Sequence, residues 1–262
     1  MTVYSHSRLS SFETCPRQYW FQYIERPEVE AVESVEAFLG SRVHDALEEL
    51  YRRRVSGQVM PVGELVDWYD GRWAREWSDA VQIVRQEFSA EDYRQVGRDT
   101  LQAYHARYAP FDQARTLRLE GLVSFSLDGG DKHRLRGYID RLDQRSDGTY
   151  EVHDYKTSQY VPTQEQADAD RQLALYQIGV QQMWPDATDV ELVWHYVRFD
   201  KELCSRRTSE QLEAVKRQCI TLIDDIESRG KNEEAFPTVP SHLCDWCAFR
   251  AVCRAKRTLD LR

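Results

Sequence analysis

The stretch from Thr116 to Thr157 constrains the fold of this chain more than any other. It holds three short runs, LRLEGLVSFSL, HRLRGYIDRLDQ and TYEVHDYKT, whose alternating apolar, β-branched and aromatic residues predict strands. Asp147-Gly148 separates the second run from the third, a dipeptide that favours a tight hairpin turn and makes the two strands antiparallel neighbours. On this reading Asp140 sits near the end of the first strand of the pair. Asp154 and Lys156 lie two apart, on one face of the second. In isolation a D-x-K spacing describes solvated residues beside a turn, with the lysine in a surface ion pair. Here Val152 and Tyr155 surround the charges in a strand that reads as buried, where charged side chains are seldom found without a partner.

Two carboxylates and an ammonium group brought together in this way suit a hard divalent cation. Asp140, Asp154 and the backbone carbonyl of Tyr155 can supply oxygen ligands to Mg2+ or Mn2+ and leave positions for water and phosphate. Lys156 can then orient or help deprotonate an attacking water and offset charge that builds on a phosphate.

Around the strands the periodicity is helical. Leu9, Phe12, Trp20, Phe21 and Ile24 predict one or two short helices, with Pro16 permitting a break. In SRVHDALEELYRRR, residues Val43, Leu47, Leu50 and Tyr51 share one face and His44 lies beside it. Two or three helical pieces follow between Glu64 and Pro110. After the hairpin, one helix carries Gln172, Leu175, Tyr176 and Val180 to a stop near Pro185. The apolar run DVELVWHYVRF predicts a strand buried on both faces. Cys204 falls in the loop after it, and a long helix runs from Ser209 to Arg229. The expected architecture is α/β: a central mixed sheet flanked by helices in one domain spanning residues 1–262, with a helical insertion at 55–112 and a cysteine module at 237–262 that closes on Cys15.

The formal net charge of −9 argues against a protein that coats nucleic acid non-specifically, because phosphate binding relies on clustered lysine and arginine. It does not exclude a nuclease, whose carboxylates are neutralised by metal and whose basic groove can coexist with an acidic exterior. No run of apolar residues approaches the length of a membrane helix, and the first residues do not read as a secretory signal, so a cytoplasmic protein is expected. In that compartment the 6 cysteines are reduced, which favours metal or cluster ligation over disulfides.

G-Y-I-D-R-L-D and V-H-D-Y-K-T resemble the second and third motifs of RecB-type PD-(D/E)xK nucleases, a group that includes CRISPR-adaptation exonucleases and the AddB nuclease domain. The resemblance runs in the family order over nearly the whole chain. It implies a restriction-endonuclease-like core, makes Asp140, Asp154 and Lys156 catalytic, and adds His44 to Asp140, Asp154 and the Tyr155 carbonyl as a metal ligand. It also implies that Gln172 and Tyr176, in R-Q-L-A-L-Y-Q, contact the DNA backbone. Glu120 falls where the family often carries an acidic residue. Two positions depart from the family pattern. Ile139 stands in place of the proline that names the superfamily, and Asp154 in place of glutamate; both variants are usual in the RecB-like branch.

Cys244, Cys247 and Cys253 form C-x2-C-x5-C, and Cys15 far upstream is the candidate fourth thiolate. That pattern resembles the [4Fe-4S] staple of the same nucleases. Zinc remains the alternative, since four-cysteine zinc sites also use C-x2-C. Cys204 and Cys219 have no partner at ligand spacing. The resemblance implies a metal-dependent nuclease acting on single-stranded or free-ended DNA in repair, recombination or defence. The sequence has no G-x4-G-K-[ST] loop, so unwinding would fall to a separate helicase or to a CRISPR or repair partner. The competing readings are a non-catalytic iron-sulfur or zinc module that binds DNA or protein, and a defence endonuclease.

Overall fold

A computed structural model describes residues 2–29, 33–85 and 87–255. Its α-helices are α1 (His6–Thr14), α2 (Pro16–Trp20), α3 (Val35–Val55), α4 (Val62–Glu76), α5 (Ala90–Tyr108), α6 (Gln164–Asp168), α7 (Arg171–Met183) and α8 (Ser209–Ser228). A π-helical turn, Phe21–Glu25, extends α2. Two short strands, β1 (Glu33–Ser34) and β2 (Val81–Gln82), pair in parallel. The main sheet contains β3 (Arg115–Ser126), β4 (Arg134–Gln144), β5 (Tyr150–Lys156), β6 (Val190–Tyr196) and β7 (Lys201–Ser205), in the order β3-β4-β5-β6-β7. It is mixed, since β5 runs antiparallel to β4 and parallel to β6. This five-stranded sheet with flanking helices is the expected α/β core, consistent with the restriction-endonuclease-like fold.

The chain divides into two compact units. The larger comprises residues 33–125 and 137–212 and contains the β4–β5 hairpin. Its helix α3 begins where the Ser34 hydroxyl accepts from the Ala37 N–H (3.2 Å) and ends in Arg52, Arg53 and Arg54, whose charges oppose the helix dipole. Phe38, Leu39, Val43 and Leu47 form its buried stripe, and Phe38 meets Trp73 of α4 edge to face at 4.9 Å. The smaller unit comprises residues 1–32, 126–136 and 213–262. Within it Phe236, which is fully buried, stacks on Tyr19 and meets Phe12 edge to face. Residues 256–262 of the expected cysteine module lie outside the described residues.

Three local expectations differ from the structure. Asp140 lies inside β4, with four strand residues beyond it, rather than near its end. The helix expected through Gln172, Leu175, Tyr176 and Val180 is α7, which the Asp170 carboxylate of the preceding polar run caps by accepting from the Leu173 N–H (3.1 Å), but that run also forms a short helix of its own, α6. The buried guanidinium of Arg207 reaches the Ala167 carbonyl of α6 (2.8 Å). Finally, Cys204 lies on a strand. Asp200, in the left-handed conformation at φ 47°, turns the chain back so that β7 pairs with β6. The polar run KELCS gives no alternation by which this edge strand could be recognised.

Candidate active site

The β4–β5 ladder runs from Gln144 opposite Tyr150 to Arg141 opposite His153, and Asp140 and Asp154 follow at its next step. One Asp140 oxygen, Oδ2, accepts from the Tyr155 N–H at 2.6 Å. From α3, the His44 ring sits with Nδ1 3.5 Å from the same oxygen and Nε2 2.9 Å from the Tyr155 carbonyl. The structure thus sets Asp140 against one nitrogen of the His44 ring and the Tyr155 carbonyl against the other. Glu120 joins them: one ligand atom from each of His44, Glu120 and Asp140 lies within 4.8 Å of the others. Glu120 is a non-glycine residue at φ 42°, a left-handed kink inside β3, and strained backbone of this kind is concentrated at functional sites.

Asp154 is buried, and its Oδ2 pairs with Lys156 Nζ at 2.6 Å. Gln172 of α7 spans both groups, accepting from Lys156 Nζ through Oε1 (3.2 Å) and donating through Nε2 to Asp154 Oδ1 (3.2 Å). The same amide nitrogen lies 3.1 Å from the Tyr176 hydroxyl, one turn further along the helix. Gly137 of β4 makes the approach of α7 possible. A Cβ there would lie 2.3 Å from Tyr176 Cε1, a separation no side chain tolerates.

The charges here do not balance in protein alone. Burial pushes the Asp154 carboxyl up; Lys156 opposes this and Asp140 adds to it, leaving it at about 6. Burial and the Asp140 charge raise Glu120 further, to about 7, against the pull of His44. Carboxyls held above their ordinary range in a common site are those that gain most from a bound cation. The geometry fits one as well. An imidazole nitrogen of His44 and carboxylate oxygens of Glu120 and Asp140 lie within 4.8 Å of one another, close enough to share one ion. Gly40, Ser41, Asp45 and Glu48 line a cavity of about 350 Å³ beside His44 and Glu120.

The sequence profile of the PD-(D/E)XK nuclease superfamily matches residues 3–254. The chain belongs to this superfamily. Membership makes it a nuclease, with DNA as the substrate class and divalent metals as the usual cofactors of the PD-(D/E)XK reaction. Among solved structures, a candidate exonuclease from Eubacterium rectale matches at 14% identity over 94% of this chain and 92% of its own, with a TM-score of 0.53. That likeness bears on the fold alone. A second structure, of the protein SSO0001, matches at 13% identity over 95% of each chain, with a TM-score of only 0.36. No curated protein matches the chain. No helix of the described residues is long and apolar enough to cross a membrane.

In the smaller unit, Cys15, Cys244, Cys247 and Cys253 line one cavity of about 50 Å³ with Phe21 and Phe249, whose rings are 5.5 Å apart. Cys15 is placed by its position between α1 and α2, where Pro16 begins the second helix. Burial and the neighbouring thiols of Cys253, Cys15 and Cys244 raise the Cys247 thiol. A thiol set of this composition fits a metal or cluster that binds it as thiolates. Cys204 is exposed on β7, and Cys219 is buried in α8.

Proposed function

We propose that the chain is a RecB-like, Mg2+- or Mn2+-dependent nuclease that hydrolyses DNA from single-stranded or free ends. One observation carries this reading: His44, Glu120, Asp140 and the Tyr155 carbonyl gather beside an Asp154–Lys156 pair that Gln172 ties together. His44, Asp140, Asp154 and the Tyr155 carbonyl would hold the metal, with Glu120 as a further carboxylate. When bound, the metal supplies Lewis acidity for phosphodiester hydrolysis. Lys156 orients the attacking water and offsets charge on the phosphate, and Gln172 keeps the ammonium group in place. Gln172 and Tyr176 hold the DNA backbone against this edge. Beyond Lys156, Tyr160, Trp194 and Tyr196 line a cavity of about 300 Å³, and Tyr160 is 70% exposed, a platform on which an unpaired base can stack. Unwinding of duplex ends is assigned to a separate helicase or to a CRISPR or repair partner in the cytoplasm.

Incubation with Mn2+ and labelled linear single-stranded, linear duplex and circular DNA tests this directly. Loss of linear but not circular DNA is the expected result. Cleavage of circles would make the enzyme an endonuclease, and no cleavage of any DNA would leave a binding module.

The four cysteines are proposed to hold a [4Fe-4S] cluster, supported by their common cavity and the thiolate-only donor set. Anaerobically purified protein should then be brown, and serine at Cys15, Cys244, Cys247 or Cys253 should bleach it, while serine at Cys204 or Cys219 should not. Colourless protein with about one equivalent of zinc per chain in this module would assign the site to zinc instead.

A further inference from the structure

The hairpin that presents Asp140 and Asp154 on one face presents a second set of ligating groups on the other. Asp143 and Glu151 are directly paired across β4 and β5, and His153 follows Glu151 on the same face. One ligand atom from each of these three residues lies within 4.8 Å of the others. His153 and Asp143 are buried, and the group borders a cavity of about 220 Å³.

The hydrogen bonds around His153 fix where its protons lie. Tyr108 donates its only hydroxyl proton to Glu202 (2.7 Å), so in its 3.2 Å contact with His195 Nδ1 the imidazole must be the donor. Burial keeps His195 neutral, which leaves its Nε2 bare. That nitrogen accepts from His153 Nδ1 at 2.9 Å. His153 therefore donates from Nδ1 and directs Nε2 at two carboxylates, 3.5 Å from Asp143 Oδ2 and 3.6 Å from Glu151 Oε2. Among the described residues Nε2 meets no acceptor at ordinary hydrogen-bond distance, although the His153 side chain is only 6% exposed, and against burial Arg141 and His153 together hold the Asp143 carboxyl below its ordinary range. Two carboxylate oxygens facing one imidazole nitrogen call for a positive charge between them, which a metal ion or a proton on Nε2 supplies.

The spacing suits such a cation. Bonds of about 2.0–2.1 Å in a tetrahedral zinc site put neighbouring ligand atoms roughly 3.4 Å apart, close to both observed separations. Arg145 leaves Glu151 Oε2 open by pairing with the other oxygen, Oε1 (3.3 Å), whereas Arg141 Nε lies 3.1 Å from Asp143 Oδ2, the oxygen that also faces His153. The chain His153–His195–Tyr108–Glu202 is the kind of outer support that orients a metal-bound imidazole.

We propose that Asp143, Glu151 and His153 form a second metal site, separate from the nuclease centre, which takes a divalent transition metal such as zinc with water as a further ligand. Imidazole selects such a metal over Mg2+. The ion would clamp β4 to β5 from behind the catalytic carboxylates.

Zinc is the probe. Full-length protein, purified anaerobically, is dialysed against Zn2+ and its bound metal is counted by mass spectrometry. Glu151→Gln and His153→Gln should each lose about one equivalent relative to wild type, and His44→Ala should lose a different one, so that His44→Ala/Glu151→Gln loses both. Far-ultraviolet circular dichroism checks that each variant is folded, and the half-buried Glu151 variant serves if the buried His153 variant is not. Equal zinc content in wild type and Glu151→Gln would overturn the proposal and give the position to a proton on His153. The nuclease reading survives that outcome, because it is tested by cleavage and by His44.

Discussion

Replacing Lys156 by methionine keeps most of the aliphatic stem and removes the charge that lies 2.6 Å from Asp154. Breaking a buried ion pair by deleting one partner costs about 3–5 kcal/mol. The lower end applies because the Lys156 side chain is 33% exposed. About 3 kcal/mol corresponds to roughly two pKa units. The Asp154 carboxyl, at about 6 in the native chain, should therefore move toward roughly 8. At pH 7 only about one Asp154 in ten would then be ionised, and Mn2+ affinity should fall roughly tenfold through competition with the proton. By about pH 9 the affinity should recover or exceed that of wild type, since a positive charge beside the metal has gone. Cleavage should not recover. With metal saturating, the single-turnover rate should stay about 10²-fold or more below wild type, the usual size of one lost acid–base or electrostatic contribution. Calorimetric titration with Mn2+ and single-turnover DNA cleavage, both followed from pH 6.5 to about 9, separate the two effects. Wild-type cleavage at the alkaline end would reduce Lys156 to a neutralising charge and refute its part in the chemistry.

Three further outcomes are expected. Asp154 and Glu120 are held at about 6 and about 7, above their ordinary range, so the folded chain binds these protons more tightly than the unfolded one and the stability they contribute is lost as pH rises from about 4 to 7, while Mn2+ affinity rises over the same interval. Buried neutral His195 acts in the opposite direction, so the loss is read by scanning calorimetry as the melting-temperature difference between metal-free wild type and Glu120→Gln, and a difference that does not fall through that range would contradict it. Gly137→Ala should cost about 1–3 kcal/mol by driving a methyl group into the Tyr176 ring, seen in denaturant unfolding and partly relieved by Tyr176→Ala in the same chain. Tyr160→Ala should weaken single-stranded DNA binding roughly fivefold or more, from the loss of one stacked base, with metal affinity unchanged; equal binding by the variant in a fluorescence titration would remove Tyr160 from the DNA path.

The parts of the site that sequence disclosed are those where side-chain period and turn chemistry act together. Alternation in β4 and β5, with Asp147-Gly148 between them, placed Asp140 and Asp154 on neighbouring strands, and the helical stripe of α3 put His44 at its border. Gln172 and Tyr176 were legible as a one-turn pair, but their ties to Asp154 and Lys156 were not, because these depend on the approach of α7 over Gly137. Glu120 was marked by its place before the second motif, whereas its kink at φ 42° has no sequence signal. Asp143, Glu151 and His153 carry no such signal, although Glu151 and His153 are two apart on one strand. Their meaning depends on Asp143 across the register and on the protons fixed by His195 and Tyr108. Strand β7 was hidden by its polar composition, and the break between α6 and α7 by a cap and an arginine from a distant segment.

The Asp147-Gly148 turn acts on this chemistry as a reading frame acts on a message. It fixes the hairpin alignment in which Gln144 meets Tyr150 and Arg141 meets His153, and with it the side on which each residue of β5 emerges. One extra residue in that turn, with β4 held in place, would carry His153 and Tyr155 to the side of Asp140 and send Asp154 among the arginines and histidines behind. No side chain of the site would have been altered, yet every one on β5 would answer to the wrong partners. Evolution can therefore lengthen the loops at the margins of this sheet freely, but it can change the length of this turn only in steps that preserve parity.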